Sequence, residues 1–106
     1  MPPQFVRASH IPGAEVVLDD RGAVVYMVVS DPDNAPEISF TWDLTGEGVL
    51  PGSQDTMDGT TRKFSQIRLQ PEARYEGALL TVTANDNSGS PVSISWTIGV
   101  SEGVLE

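Results

Sequence analysis

The residues best suited to chemistry in this chain are oxygen donors gathered in short polar stretches. Asp31, Asp33 and Asn34 fall within Ser30-Asp31-Pro32-Asp33-Asn34. Asp86 and Asn87 fall within Asn85-Asp86-Asn87-Ser88-Gly89, and Asp55 and Asp58 lie between them in the chain. Hard cations such as calcium take about six to eight oxygens from carboxylates, amides and carbonyls. Asp31, Asp33, Asn34, Asp86 and Asn87 therefore form the candidate metal set, with calcium as the candidate cation and no other cofactor implied. The EF-hand spacing with its late glutamate is absent. A competing reading needs no metal, because Asp and Asn favour turns by bonding their own backbone.

Other chemistry finds little to work with. His10 is the single histidine, and it stands in an irregular opening segment with no Ser-centred elbow motif nearby. The paired carboxylates sit in turns, with no apolar surroundings to raise a pKa. No Gly-rich loop joins a strand to a helix to cradle phosphate. With no cysteine, disulfides, thiolate zinc sites and thiol nucleophiles are all excluded. No catalytic residue is assigned, and the chain is read as a non-enzyme.

Charge narrows the partners. Six Lys and Arg against 15 Asp and Glu give a net charge of −9. Nucleic acid and anionic membrane surfaces are disfavoured, since both bind through basic contacts. No apolar run approaches the roughly 20 residues of a membrane-spanning helix. Met1-Pro2-Pro3-Gln4 lacks the basic-then-apolar pattern of a signal peptide, while Leu105-Glu106 is a dipeptide that commonly precedes a purification tag. The expectation is one domain over residues 1–106, cut from a longer multidomain protein.

The acidic stretches can meet only if the elements between them bring them together. From Val92 to Val100 every even position is apolar and every odd one small or polar, which fits a half-buried strand and no helix. Ile38, Phe40, Trp42 and Leu44 share one face of a second such segment. Leu80, Val82 and Ala84 do so in a third. Ala23 to Val29 is a continuous apolar run, expected to be buried on one face and partly covered on the other. Ile67 and Leu69 mark a shorter strand, and the opposite parity of Phe64 predicts a bulge or corner there. Phe5–Ala8 and Glu15–Leu18 suit a first strand split at Pro12-Gly13. Pro71–Glu76 suits one helical turn.

Lettered A to G in order, these are a split A, then 22–29, 37–44, 49–54, 62–69, 78–85 and 92–100. The count and spacing predict an all-β, immunoglobulin-like sandwich of about seven antiparallel strands in two sheets. Trp42 takes the buried strand-C tryptophan position, and Tyr75 that of a tyrosine corner. In this order the B–C, D–E and F–G loops emerge at one end, beside the start of strand A, and the two chain ends leave from opposite ends. The outer face of C, F and G then shows Ser39, Thr41, Asp43, Leu79, Thr81, Thr83, Ser93, Ser95 and Thr97. It is read as a solvated hydroxyl face.

Three stretches resemble a known group: Ser30-Asp31-Pro32-Asp33-Asn34 leading into Ser39-Phe40-Thr41-Trp42-Asp43-Leu44, then Leu80 to Gly89, then Ser93 to Ile98. Over residues 28–100 the chain is similar to the polycystic-kidney-disease (PKD) repeat and its cadherin-like bacterial relatives. PKD repeats continue Phe-Gly-Asp-Gly after the Trp-Asp pair, where this chain has Leu44-Thr45-Gly46-Glu47-Gly48. The resemblance implies a non-catalytic structural or adhesive spacer in an extracellular, cell-surface or virion protein, with neighbouring domains of the same chain as partners. Two alternatives stand beside it: a carbohydrate- or protein-binding module using the B–C and F–G loops, and an accessory domain of a secreted hydrolase.

Overall fold

The computed structural model describes residues 3–31, 37–57, 61–86 and 90–105. Nine strands form two sheets in those residues: β1 (Gln4–Ala8), β2 (Glu15–Leu18), β3 (Ala23–Ser30), β4 (Ser39–Leu44), β5 (Gly48–Leu50), β6 (Asp55–Met57), β7 (Arg62–Leu69), β8 (Leu79–Asn85) and β9 (Val92–Val100). The first sheet runs β1-β3-β7-β6 and the second β2-β9-β8-β4-β5. A 3-10 turn at Ala73–Tyr75 precedes β8, and a one-turn helix α1 (Glu102–Leu105) follows β9.

The alternating patterns act as expected. Val25, Met27 and Val29 from β3 meet Trp42 and Leu44 from β4, Leu80, Val82 and Ala84 from β8, and Trp96 and Ile98 from β9 in one buried core. Trp42 and Trp96 lie at its centre. Their rings stack at 6.3 Å and 14°. Such a pair adds about 0.5–1.5 kcal/mol to its area burial. Each buried indole N–H has a partner: Trp42 Nε1 donates to Ser65 Oγ at 2.7 Å, and Trp96 Nε1 to the His10 carbonyl at 3.0 Å. Tyr75 is buried before β8, with the Arg74 guanidinium 5.3 Å from its ring centroid.

The split first strand is shared between the sheets. β1 pairs antiparallel with β3, whereas β2 pairs parallel with β9. Gly13, at φ 87°, makes the break, and its N–H donates to the Ser95 carbonyl at 2.8 Å.

Two expectations need correction. Residues 49–54 do not form one strand. β5 pairs with β4 in the second sheet and β6 with β7 in the first, and the chain crosses between them at Pro51–Gln54. Pro51 has no N–H to extend a ladder. Gly52 passes so close to the core that an added Cβ would lie 2.6 Å from the Trp42 indole. Gln54 then stands in for a strand: its amide accepts from Phe40 N and donates to Phe40 O, both at 3.0 Å.

Nor is there a bulge at Phe64. β3 and β7 pair in unbroken register from Ala23↔Leu69 to Ser30↔Arg62. The inner row of β7 continues from Leu69 and Ile67 through Ser65 to Lys63, all buried. Phe64 does lie on the opposite, outward row, but the strand needs no bulge to place it there, because Ser65 and Lys63 fill the inner row. The irregularity lies instead in β1, between Phe5 and Arg7.

Candidate functional site

Strand direction gathers the acidic stretches. β3 ends, and β4, β7 and β9 begin, at the same end of the sandwich where β8 ends. Ser30 pairs with Arg62, Ser39 with Asn85, and Ala84 with Val92. Gln4 of β1 also pairs with Ser30, so the first strand starts at this end.

Of the five candidate metal ligands, the structure places Asp31 and Asp86. Asp33, Asn34 and Asn87 lie outside the described residues, as does Asp58. Asp31 extends the inward row Val25, Met27, Val29; Asp86 extends Leu80, Val82, Ala84. The two are 1 % and 6 % exposed, one from each sheet. The Asp31 N–H donates to the Thr61 carbonyl at 2.9 Å. These carboxylates face the interior rather than standing out in solvent-facing loops.

A third charged group belongs to this end. Lys63 begins the inner row of β7, pairs across from Val29, and is 8 % exposed. Its Nζ donates to the Ile38 carbonyl just before β4. Its signal in the sequence was the alternation Leu69, Ile67, Ser65, Lys63, visible only once polar residues are allowed on an inner face. A buried ammonium is costly unless charge and hydrogen bonds compensate it. Two inward carboxylates at the same end supply charge of the required sign. Among the described residues, no group of three or more His, Asp or Glu side chains is placed to hold a metal ion.

The other candidate features have structural tasks. Ser9 Oγ contacts His10 Nδ1 at 2.8 Å and also accepts from Tyr26 N at 3.0 Å. A serine beside a histidine is the start of a nucleophile–base pair, but here the hydroxyl ties the crossover between β1 and β2 to β3. On the hydroxyl face, Thr83 Oγ1 and Ser93 Oγ bond each other across β8 and β9 at 2.8 Å. Asp55 opens β6, opposite Phe64. Arg74 joins Glu72 at 2.8 Å and Glu47 at 3.3 Å. Its hydrogen bond to Tyr75, with help from those two carboxylates, raises its pKa above the ordinary arginine value.

No protein-family model matches the chain, and no curated protein matches it. Solved structures do. The chain is similar to the Rst D1-D2 structure, with a TM-score of 0.70 and 16 % identity, covering 94 % of this chain and 50 % of that one. It is similar to the N-terminal Ig1-2 module of the Drosophila receptor protein tyrosine phosphatase DLAR, with a TM-score of 0.59 and 19 % identity over 95 % of this chain and 50 % of that one. CopC from Methylosinus trichosporium OB3b matches with a TM-score of 0.56 and 13 % identity over 94 % and 96 % of the two chains. The chain thus spans half the length of the first two. At these identities the likeness shows the fold: an immunoglobulin-like β-sandwich.

Proposed function

We propose that the chain is a non-catalytic, PKD-like module of a longer extracellular or virion protein, where it holds neighbouring domains of the same chain at a fixed spacing. The observation that carries this reading is the path of the chain through an elongated body. The molecule measures 48 × 23 × 21 Å. Five strands side by side span only about 20 Å, so the long axis follows the strands. β1 starts at the end where β3 finishes, and β9 finishes at the opposite end. Neighbours joined before β1 and after β9 would be separated by the full length of two packed sheets. The native protein should therefore be found outside the cytosol, as a polypeptide well above the 11.3 kDa of this chain. Cell fractionation with immunoblotting tests this, and a cytosolic product of that size alone would overturn it.

In this reading, Asp31, Asp86 and Lys63 close the end of the core as a structural charge cluster. Calcium is the second reading of the same end, favoured by the arrival of two carboxylates from opposite sheets, with Asp33, Asn34 and Asn87 close to them in sequence. The two differ in one respect: calcium bound there must raise the unfolding midpoint with concentration, whereas a cluster whose positive charge comes from Lys63 gives no such rise.

A further inference from the structure

The outer face of the first sheet differs in kind from that of the second. The strands of the second sheet contain no Lys or Arg; those of the first contain Arg7, Arg62, Lys63 and Arg68, four of the six basic residues in the chain. Lys63 points inward, and the three arginines stand on outward rows. Register defines those rows. Arg7 pairs with Val28 and Val28 with Phe64; Tyr26 pairs with Gln66, and Val24 with Arg68. Arg7, Tyr26, Val28, Phe64 and Gln66 line a depression of about 220 Å³. Its floor is Val28, which is buried although it points away from the core.

Size and composition together select the occupant. Small-molecule sites run to about 300–1,000 Å³, whereas a cavity of about 150 Å³ accepts a benzene ring. The depression therefore suits one large apolar side chain. Its walls are a tyrosine, a phenylalanine and an arginine, the residue types enriched where proteins dock. Arg7 forms no ion pair with any described residue, and both ion pairs of Arg74 lie elsewhere. The charge is also directional. Arg7 is at the β1 edge of the row, whereas Asp55 pairs with Phe64 at the β6 edge. An anionic partner would be drawn to the β1 side, away from Asp55.

We propose that this face docks an acidic protein segment, placing one large apolar side chain over Val28 between Tyr26 and Phe64, with flanking carboxylates on Arg7. This goes beyond the spacer reading, which requires no ligand on either face, so either can fail without the other.

The test is a titration of the isotopically labelled domain, followed by amide chemical shifts. The probes are a blocked Glu-Glu-Phe-Glu-Glu peptide, its Glu-Glu-Ala-Glu-Glu analogue and inorganic polyphosphate. Saturable shifts at Tyr26, Val28, Phe64 and Gln66 are expected with the first peptide. Affinity should fall about tenfold with the alanine analogue, and again on raising salt from about 0.05 to 0.5 M. Binding should be lost in Arg7→Glu and in Phe64→Thr, each checked for a wild-type-like circular dichroism spectrum. The proposal is overturned if no shifts appear at those amides, if the two peptides bind equally, or if polyphosphate binds more tightly than either. It is equally overturned if the same amides shift on concentrating the domain alone, which would make a second copy the occupant.

Discussion

At the residue scale, the core is held by polar contacts as well as by packing. Ser65 exists inside it to accept the Trp42 indole N–H at 2.7 Å. Ser65→Ala should leave that donor buried and unmatched, at a cost of about 1–3 kcal/mol in denaturant unfolding. Trp42→Phe in the Ser65→Ala background should then cost less than Trp42→Phe alone, because it removes the unmatched indole N–H and leaves no Ser65 hydroxyl without its partner. Lys63 offers a sharper case. Removing one member of a buried ionic group costs about 3–5 kcal/mol. Lys63→Met, which keeps the length of the side chain, should lose stability in that range, and much of it should return when Asp31→Asn and Asp86→Asn are added. An unchanged unfolding midpoint in Lys63→Met would remove the charge cluster from the account. The convergence of Asp31 and Asp86 was legible from strand order. Their burial was not, because the inward rows continue one residue past the ends of β3 and β8, where apolar patterning has stopped.

At the element scale, the strands with clean alternation were legible and the short edge strands were not. β4, β8 and β9 announce themselves through Trp42, Val82 and Trp96. β5 and β6 have three residues each, too few for a period to show, and the crossing between them depends on one glycine and one glutamine side chain. Gln54→Ala should lose two hydrogen bonds to Phe40 and cost about 1–3 kcal/mol in thermal or denaturant unfolding. Gly22 is as constrained: its φ is 80°, and an added Cβ would lie 2.1 Å from the Leu69 carbonyl oxygen. Gly22→Ala should cost at least about 1–3 kcal/mol, whereas Gly13→Ala, with open space around the Cβ, should suffer only the backbone strain.

At the scale of the whole molecule, an acidic chain proves to be segregated by face. The net charge of −9 was plain from composition. The basic face was not, because Arg7 lies far from Arg62 and Arg68 in sequence and joins them on one sheet face only through the order β1-β3-β7. The same three-dimensional step turns loop aspartates into the closure of a core. It also leaves one question on which the reading of this end depends: whether its positive charge is the chain's own lysine or a bound cation. The most direct measurement is thermal unfolding of the domain in EDTA and then in increasing calcium. Coincident midpoints are predicted, because on the charge-cluster reading Lys63 supplies the positive charge at this end of the sandwich. A midpoint that climbs with calcium concentration would contradict that closure and make Asp31 and Asp86 ligands.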